Sequence, residues 1–279
     1  MKVSLKEVKD KSIKDRYFSY DHWLDHLFAP PAMYVAWACI RMRLSGNVVS
    51  WISAFTAVSG AFLLTSDDRL LVFIGSFGYI LYYLLDYVDG AVARYNNKGG
   101  VSGQYIDWIM HVISHVAIVA GISIGAISSA GEWIYPFAIL AVIASCLSLS
   151  KFSMAWFSIC MEQQQRRSKG LDSFVENKLI KPKVVRSPIF EYIRKFTTLL
   201  FHENYLIFTL PIVAGLQLIQ VFDAIDMRVL FTVLAGALYF PVQVFEIRQL
   251  VSEKRIEQGY SELFSSNHVP NLPNDHFFE

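Results

Sequence analysis

Charge is scarce in this sequence: Asp, Glu, Lys and Arg make up 18% of its 279 residues, where a soluble globular chain carries nearer a quarter. Cysteine is scarcer still. Cys39, Cys146 and Cys160 form an odd set without regular spacing, which excludes a disulfide framework and leaves three small buried hydrophobes. Nucleic-acid binding needs a concentrated basic face, and a chain of net charge +1 without such a face is not expected to have that partner. No internal repeat is visible. The first twenty residues are charged and polar. No apolar stretch follows closely enough for a cleavable signal peptide, so membrane insertion is expected to use the first true span.

What is abundant is apolar surface. Hydrophobic residues make up 54% of the chain, and they fall in long blocks rather than at amphipathic spacing, the mark of membrane spans. Six blocks are long enough, or nearly so: 48–65, 70–85, 106–128, 133–159, 205–222 and 229–245. A helix needs roughly 17–25 residues to cross about 30 Å of hydrocarbon. The second and sixth blocks are short, and their helices are expected to continue into the polar residues that follow. The expected fold is an all-α integral membrane protein with six transmembrane helices.

An apolar stretch at 32–40, too short to span and closed by Arg41 and Arg43, predicts an interfacial amphipathic helix over 31–46, with Tyr34 and Trp37 at headgroup level. Residues 1–30 read as a cytosolic segment, 47–251 as the six-helix domain and 252–279 as a flexible cytosolic tail. With the N-terminus in the cytosol, 22 of the 25 Lys and Arg residues fall on the cytosolic side. Arg69 and Arg228 lie opposite and Lys151 within a span, an asymmetry that puts both termini in the cytosol. The basic connection 161–203 has room for a short amphipathic helix near 190–200. It reads either as a positive-inside retention signal touching anionic headgroups or as part of a substrate site.

The chemistry is concentrated in DYVDGAVARYNNKGGVSGQYIDWIMH, residues 86–111. Asp86 and Asp89, three apart, share a helix face. Gly90 and Ala93 extend it with almost no side chain, and Arg94 follows. After a polar turn, Gly103, Asp107 and His111 are spaced by four and stack on a second helix. A charge at membrane depth costs at least about 2.5 kcal/mol on the insertion scale. Close carboxylate pairs repel by on the order of 4 kcal/mol at an effective dielectric constant of about 20. Divalent cations offset both terms, and oxygen ligands favour Mg²⁺ or Mn²⁺. Helix-capping acids in an ordinary loop are the alternative, but capping does not explain a small residue beside every acid.

This stretch resembles the CDP-alcohol phosphotransferase motif D-x2-D-G-x2-A-R-x8-G-x3-D-x3-D. Asp86, Asp89, Gly90, Ala93, Arg94, Gly103 and Asp107 stand at the required offsets, and His111 replaces the last Asp. Asn47 looks like the Asn of the family's short pre-helix motif, and the resemblance runs from Asn47 to Val251. It implies a homodimeric enzyme of phospholipid or related lipid biosynthesis; the topology fits a bacterial inner membrane with the active site facing the cytosol. Asp86, Asp89, Asp107 and His111 would hold one or two ions against the pyrophosphate of a CDP-linked donor, CDP-diacylglycerol or similar. Asn47, Gly90, Ala93 and Gly103 would meet the nucleotide, with Arg94 a nucleotide, phosphate or structural partner, and an alcohol acceptor would attack with release of CMP. In the family the last Asp helps bind the second metal and serves as general base. His111 could take either role, or mark a lost base in an inactive homologue.

Outside the motif, His115 reads as a buried, hydrogen-bonded histidine rather than a site residue. Lys151, Gln243 and Glu246 read as candidates for a polar pocket or as the cytosolic boundary of their helices. A transporter is the competing class, since intramembrane acids can form an ion path. The acids cluster at one end, however, and no inverted repeat is present.

Overall fold

The structure, a computed structural model, describes residues 3–12, 23–98, 100–151, 161, 187–221 and 225–252. All regular structure among them is helical. The helices are α1 (Leu5–Ser12), α2 (Trp23–Arg41), α3 (Gly46–Leu64), α4 (Arg69–Tyr95), α5 (Val101–Ala130) and α6 (Tyr135–Ser150), the last entered through a 3₁₀ turn at Glu132–Ile134. After residue 186 come α7 (Pro188–Phe201), α8 (Glu203–Leu218), α9 (Met227–Leu234) and α10 (Phe240–Ser252); a π turn, Ala235–Tyr239, runs α9 into α10. The described part of the chain is all-helical and reads as a membrane-embedded protein. Among the described residues, five helical segments are long and apolar enough to cross a bilayer: α3, α4, α5, the 3₁₀ turn with α6, and α9 through α10; a sixth crossing results if α7 and α8, bent by 65° at their junction, act as one.

Polar residues at the block edges set the helix starts. Ser45 accepts from the Val48 amide, Asp68 from Leu70, Ser187 from Phe190 and Asp226 from Arg228, each satisfying a donor that the first turn leaves open. Both short blocks continue as expected: α4 carries the acidic motif to Tyr95, and the last helix reaches Ser252. A helix also forms at 190–200, as α7. Most of the basic connection, the end of the fourth block and the tail lie outside the described residues.

Three boundaries differ. The pre-span helix begins at Trp23 and carries Pro30 and Pro31 inside it, because Leu24, Phe28 and Ala29 are already buried in the core. A separate helix, α1, forms inside the polar N-terminal segment. Its Val8 is fully buried against α2 and α4, and Trp37 donates its indole N–H to the Val3 carbonyl at 3.0 Å. Helix α8 stops at Leu218, short of the predicted end at 222.

Without a hydrophobic force between helices in lipid, close packing of small residues holds spans together. A Cβ on Gly60 of α3 would stand 2.6 Å from the Gly75 carbonyl of α4, and one on Gly121 of α5 would stand 2.3 Å from the Ala61 carbonyl. Helix α3 is thereby clamped between α4 and α5. The outward faces stay apolar, with Trp51, Phe55 and Phe62 of α3 largely exposed. Beneath the acidic end of α4, a core of Val8, Ala32, Met33, Val49, Val88 and Ala91 ties it to α1–α3.

Candidate functional site

Asp86 leaves α4 toward α5, where Asp107 and His111 lie one turn apart. One ligand atom from each of the three converges within 4.8 Å. His111 Nε2 is 3.1 Å from Asp86 Oδ1 and 3.8 Å from Asp107 Oδ1. The Asp107 side chain is 38% exposed, so the group opens to the surface. Two carboxylate oxygens and one imidazole nitrogen could hold a metal ion.

Asp89 takes a different direction. It is 7% exposed and accepts a hydrogen bond from Ser50 of α3 at 2.5 Å. Three residues advance a helix by about 300°, so Asp86 and Asp89 diverge by about 60°. That is enough for one to face α5 and the other α3.

The residues assigned to a nucleotide also separate. Asn47, Ala93 and Gly103 line a cleft of about 490 Å³, together with Ser45, Lys98 and Ser102. A Cβ on Gly103 would approach the Asn47 side-chain oxygen at 3.9 Å, so α3 and α5 face each other across this cleft at their N-terminal ends. Gly46 permits the close seat of α3: a Cβ there would meet the Asp89 carbonyl at 2.9 Å. Gly90 and Arg94 are not among the cleft residues. The Arg94 Nε donates to the Ser12 carbonyl of α1 at 2.6 Å, and its guanidinium lies over Gly90, where a Cβ would be 3.0 Å from Nη1.

Sequence reasoning missed Glu203, the first residue of α8, whose Oε2 stands 3.2 Å from His111 Nδ1. An acid in a first turn ordinarily reads as a favourable dipole partner, and nothing local marks it as belonging with a residue 92 positions earlier. A tyrosine stripe on α4 also escaped notice. Tyr79 bonds His115 Nδ1 at 2.9 Å, Tyr83 donates to Asn204 at 3.1 Å and Tyr87 to Asp25 at 2.7 Å. The spacing of four was present in the sequence but hidden in an apolar run. His115, 1% exposed, is the buried, bonded histidine expected. Lys151 donates to Gln243 at 2.8 Å and to Glu246 at 2.6 Å, joining α6 to α10.

Compared with models of known protein families and with curated protein sequences, the chain matches none.

Proposed function

We propose that the protein is a membrane transferase of the CDP-alcohol phosphotransferase type, moving a phosphoalcohol group, in the first instance phosphatidyl, from a CDP-linked donor to an alcohol acceptor with release of CMP. The observation that carries this reading is the convergence of Asp86, Asp107 and His111 beside a cleft lined by Asn47, Ala93 and Gly103. Gly103 and Asp107 are one turn, about 6 Å, apart on α5, so a ligand in the cleft reaches the acids with its phosphates.

The chain's own groups suit that ligand. The amino ends of α3 and α5 offer backbone N–H groups and the positive end of the helix dipole to phosphate oxygens. The α5 cap, Gly100, makes no side-chain hydrogen bond to those amides. Lys98 adds a cation at the cleft wall. The small side chains of Ala93 and Gly103 let the ligand approach the backbone. When bound at Asp86, Asp107 and His111, Mg²⁺ or Mn²⁺ supplies charge neutralisation at the pyrophosphate and the departing CMP. The acceptor oxygen bonds to the donor phosphorus as the bond from that phosphorus to the CMP oxygen breaks in line, and the hydroxyl proton passes to a basic side chain.

The same reading takes six spans, with α7 and α8 contributing one between them, and both termini in the cytosol of a bacterial inner membrane. It also takes the acidic end facing that cytosol and a homodimer as the working unit. Purified protein in detergent, given CDP-diacylglycerol, CDP-ethanolamine and related donors with Mg²⁺ or Mn²⁺ and an acceptor pool, is expected to release CMP, and Asp107→Asn is expected to lose that release. His111→Ala is expected to abolish turnover while leaving nucleotide binding mostly intact. No metal-dependent CMP release from any donor would overturn the assignment.

A further inference from the structure

His111 is held from several sides. Its Nδ1 faces Glu203 Oε2 at 3.2 Å, and its Nε2 faces Asp86 Oδ1 at 3.1 Å. The Tyr82 ring stands edge-on to the imidazole, with centroids 5.8 Å apart and planes at 89°. Tyr82 is 1% exposed, and its hydroxyl is buried without a hydrogen-bond partner among the described residues. Glu203 is itself fixed. It opens α8 at the 65° bend, and its neighbour Asn204 is tied to Tyr83 of α4 at 3.1 Å.

An imidazole has two nitrogens, and the partner of one decides what the other can do. A carboxylate that receives the Nδ1 proton leaves the Nε2 lone pair directed at whatever lies beyond it. Here that is the space shared with Asp86 and Asp107. Metal-binding histidines are held in this way by a carboxylate or carbonyl on their second nitrogen, which sets the tautomer and the ring angle.

We infer that Glu203 is the positioning residue of the metal site: it takes the Nδ1–H of His111 and presents Nε2, with the Asp86 and Asp107 carboxylates, to a divalent cation of the Mn²⁺ class. This rests on the metal-site reading above and resolves the role of His111 within it, as a ligand. The replacement of an oxygen ligand by an imidazole then has a structural counterpart, because an aspartate at 111 would have no proton for Glu203 to accept. A nitrogen ligand also shifts preference away from Mg²⁺, which favours oxygen, toward a transition metal such as Mn²⁺ or Zn²⁺.

The test is Mn²⁺ binding to the full chain in detergent micelles, followed by electron paramagnetic resonance, with CMP release measured in parallel. Glu203→Ala is expected to weaken Mn²⁺ about 10- to 100-fold. Glu203→Gln, which keeps an acceptor but not the charge, is expected to lose less and carries the test if the alanine variant does not fold. In a His111→Asp background, Glu203→Ala is expected to change Mn²⁺ affinity little, whereas a merely structural Glu203 would weaken it there equally. Wild-type Mn²⁺ affinity in both Glu203 variants, or the same loss with and without the imidazole, overturns the inference even if CMP is released. Glu203-dependent Mn²⁺ binding in a protein that releases no CMP upholds the inference and overturns the reaction.

Discussion

At the end of the bundle where α3 stops and α9 starts, a buried charge is matched group by group. Arg228 donates to the Leu64 carbonyl at 2.8 Å, the Ser66 carbonyl at 2.6 Å and Ser129 at 3.1 Å, and meets Asp226 with two nitrogens. Gly125 clears the space, since a Cβ there would lie 2.3 Å from the guanidinium. At the opposite end, Asp86, Asp107 and Glu203 crowd around the His111 imidazole. The first arrangement is complete without a ligand. The second gathers like charges that repel, and a divalent ion would relieve them. The matched charge and the candidate metal cluster are thus separated by the length of the bundle.

The contrast can be broken by exchanging its readouts. Arg228→Ala is expected to destabilise the protein by about 3–5 kcal/mol, because it strands the Asp226 carboxylate. Thermal unfolding in detergent checks this, and residual folded protein should still bind Mn²⁺ normally. Asp107→Asn is expected to cost about 100-fold or more in CMP release with the unfolding temperature unchanged or raised, since one repelling charge is gone. If Asp107→Asn unfolds as readily as Arg228→Ala, the acidic end is structural after all.

Acid sharpens the comparison on the stability side. Burial pushes the Asp226 carboxyl up, but hydrogen bonds from Arg228 and Ser129 outweigh it and hold the group below its ordinary value. A depressed carboxylate stabilises the fold fully above its unfolded pKa, about 4, and the contribution is lost as pH falls through the folded value. Unfolding temperature should therefore drop on acidification below about pH 4, and Asp226→Asn should flatten that part of the profile while lowering stability at neutral pH. The smallest effect is expected from the tyrosine stripe. Tyr83→Phe removes one interhelical hydrogen bond to Asn204, worth about 0.6 kcal/mol on average between membrane helices, and a chemical unfolding curve in mixed micelles would register it.

Much of the helical pattern was legible because apolar runs in a bilayer have few alternatives: the backbone must satisfy its own hydrogen bonds. Helices α3, α4, α5 and the last span fall within a few residues of their apolar blocks or extend them into flanking polar residues. The N-terminal region was less legible. Leu5–Ser12 is polar by composition and gains its order from two buried residues, Val8 and Ser12, and from contacts with α2 and α4 that local sequence does not encode. At the site, the spacing of Asp107 and His111 announced a pair because a turn of helix brings every fourth residue to one face, and Asp86, on α4, was joined to them by the motif. The rule did not show that Asp89 also takes a bond from Ser50 on another helix, or that Arg94 reaches back to the Ser12 carbonyl.

By itself, the sequence determined that the chain is helical, that it resides in a membrane and that the acids of the 86–111 stretch gather at one end, since each follows from composition and from spacing along the helices. The tertiary structure alone decided which acid faces the imidazole and which faces a serine. It also brought Glu203 to His111 and closed Arg228 onto the ends of α3 and α5. Those pairings join residues far apart in the chain, and their geometry is set by how closely the glycines let one helix lie against the next.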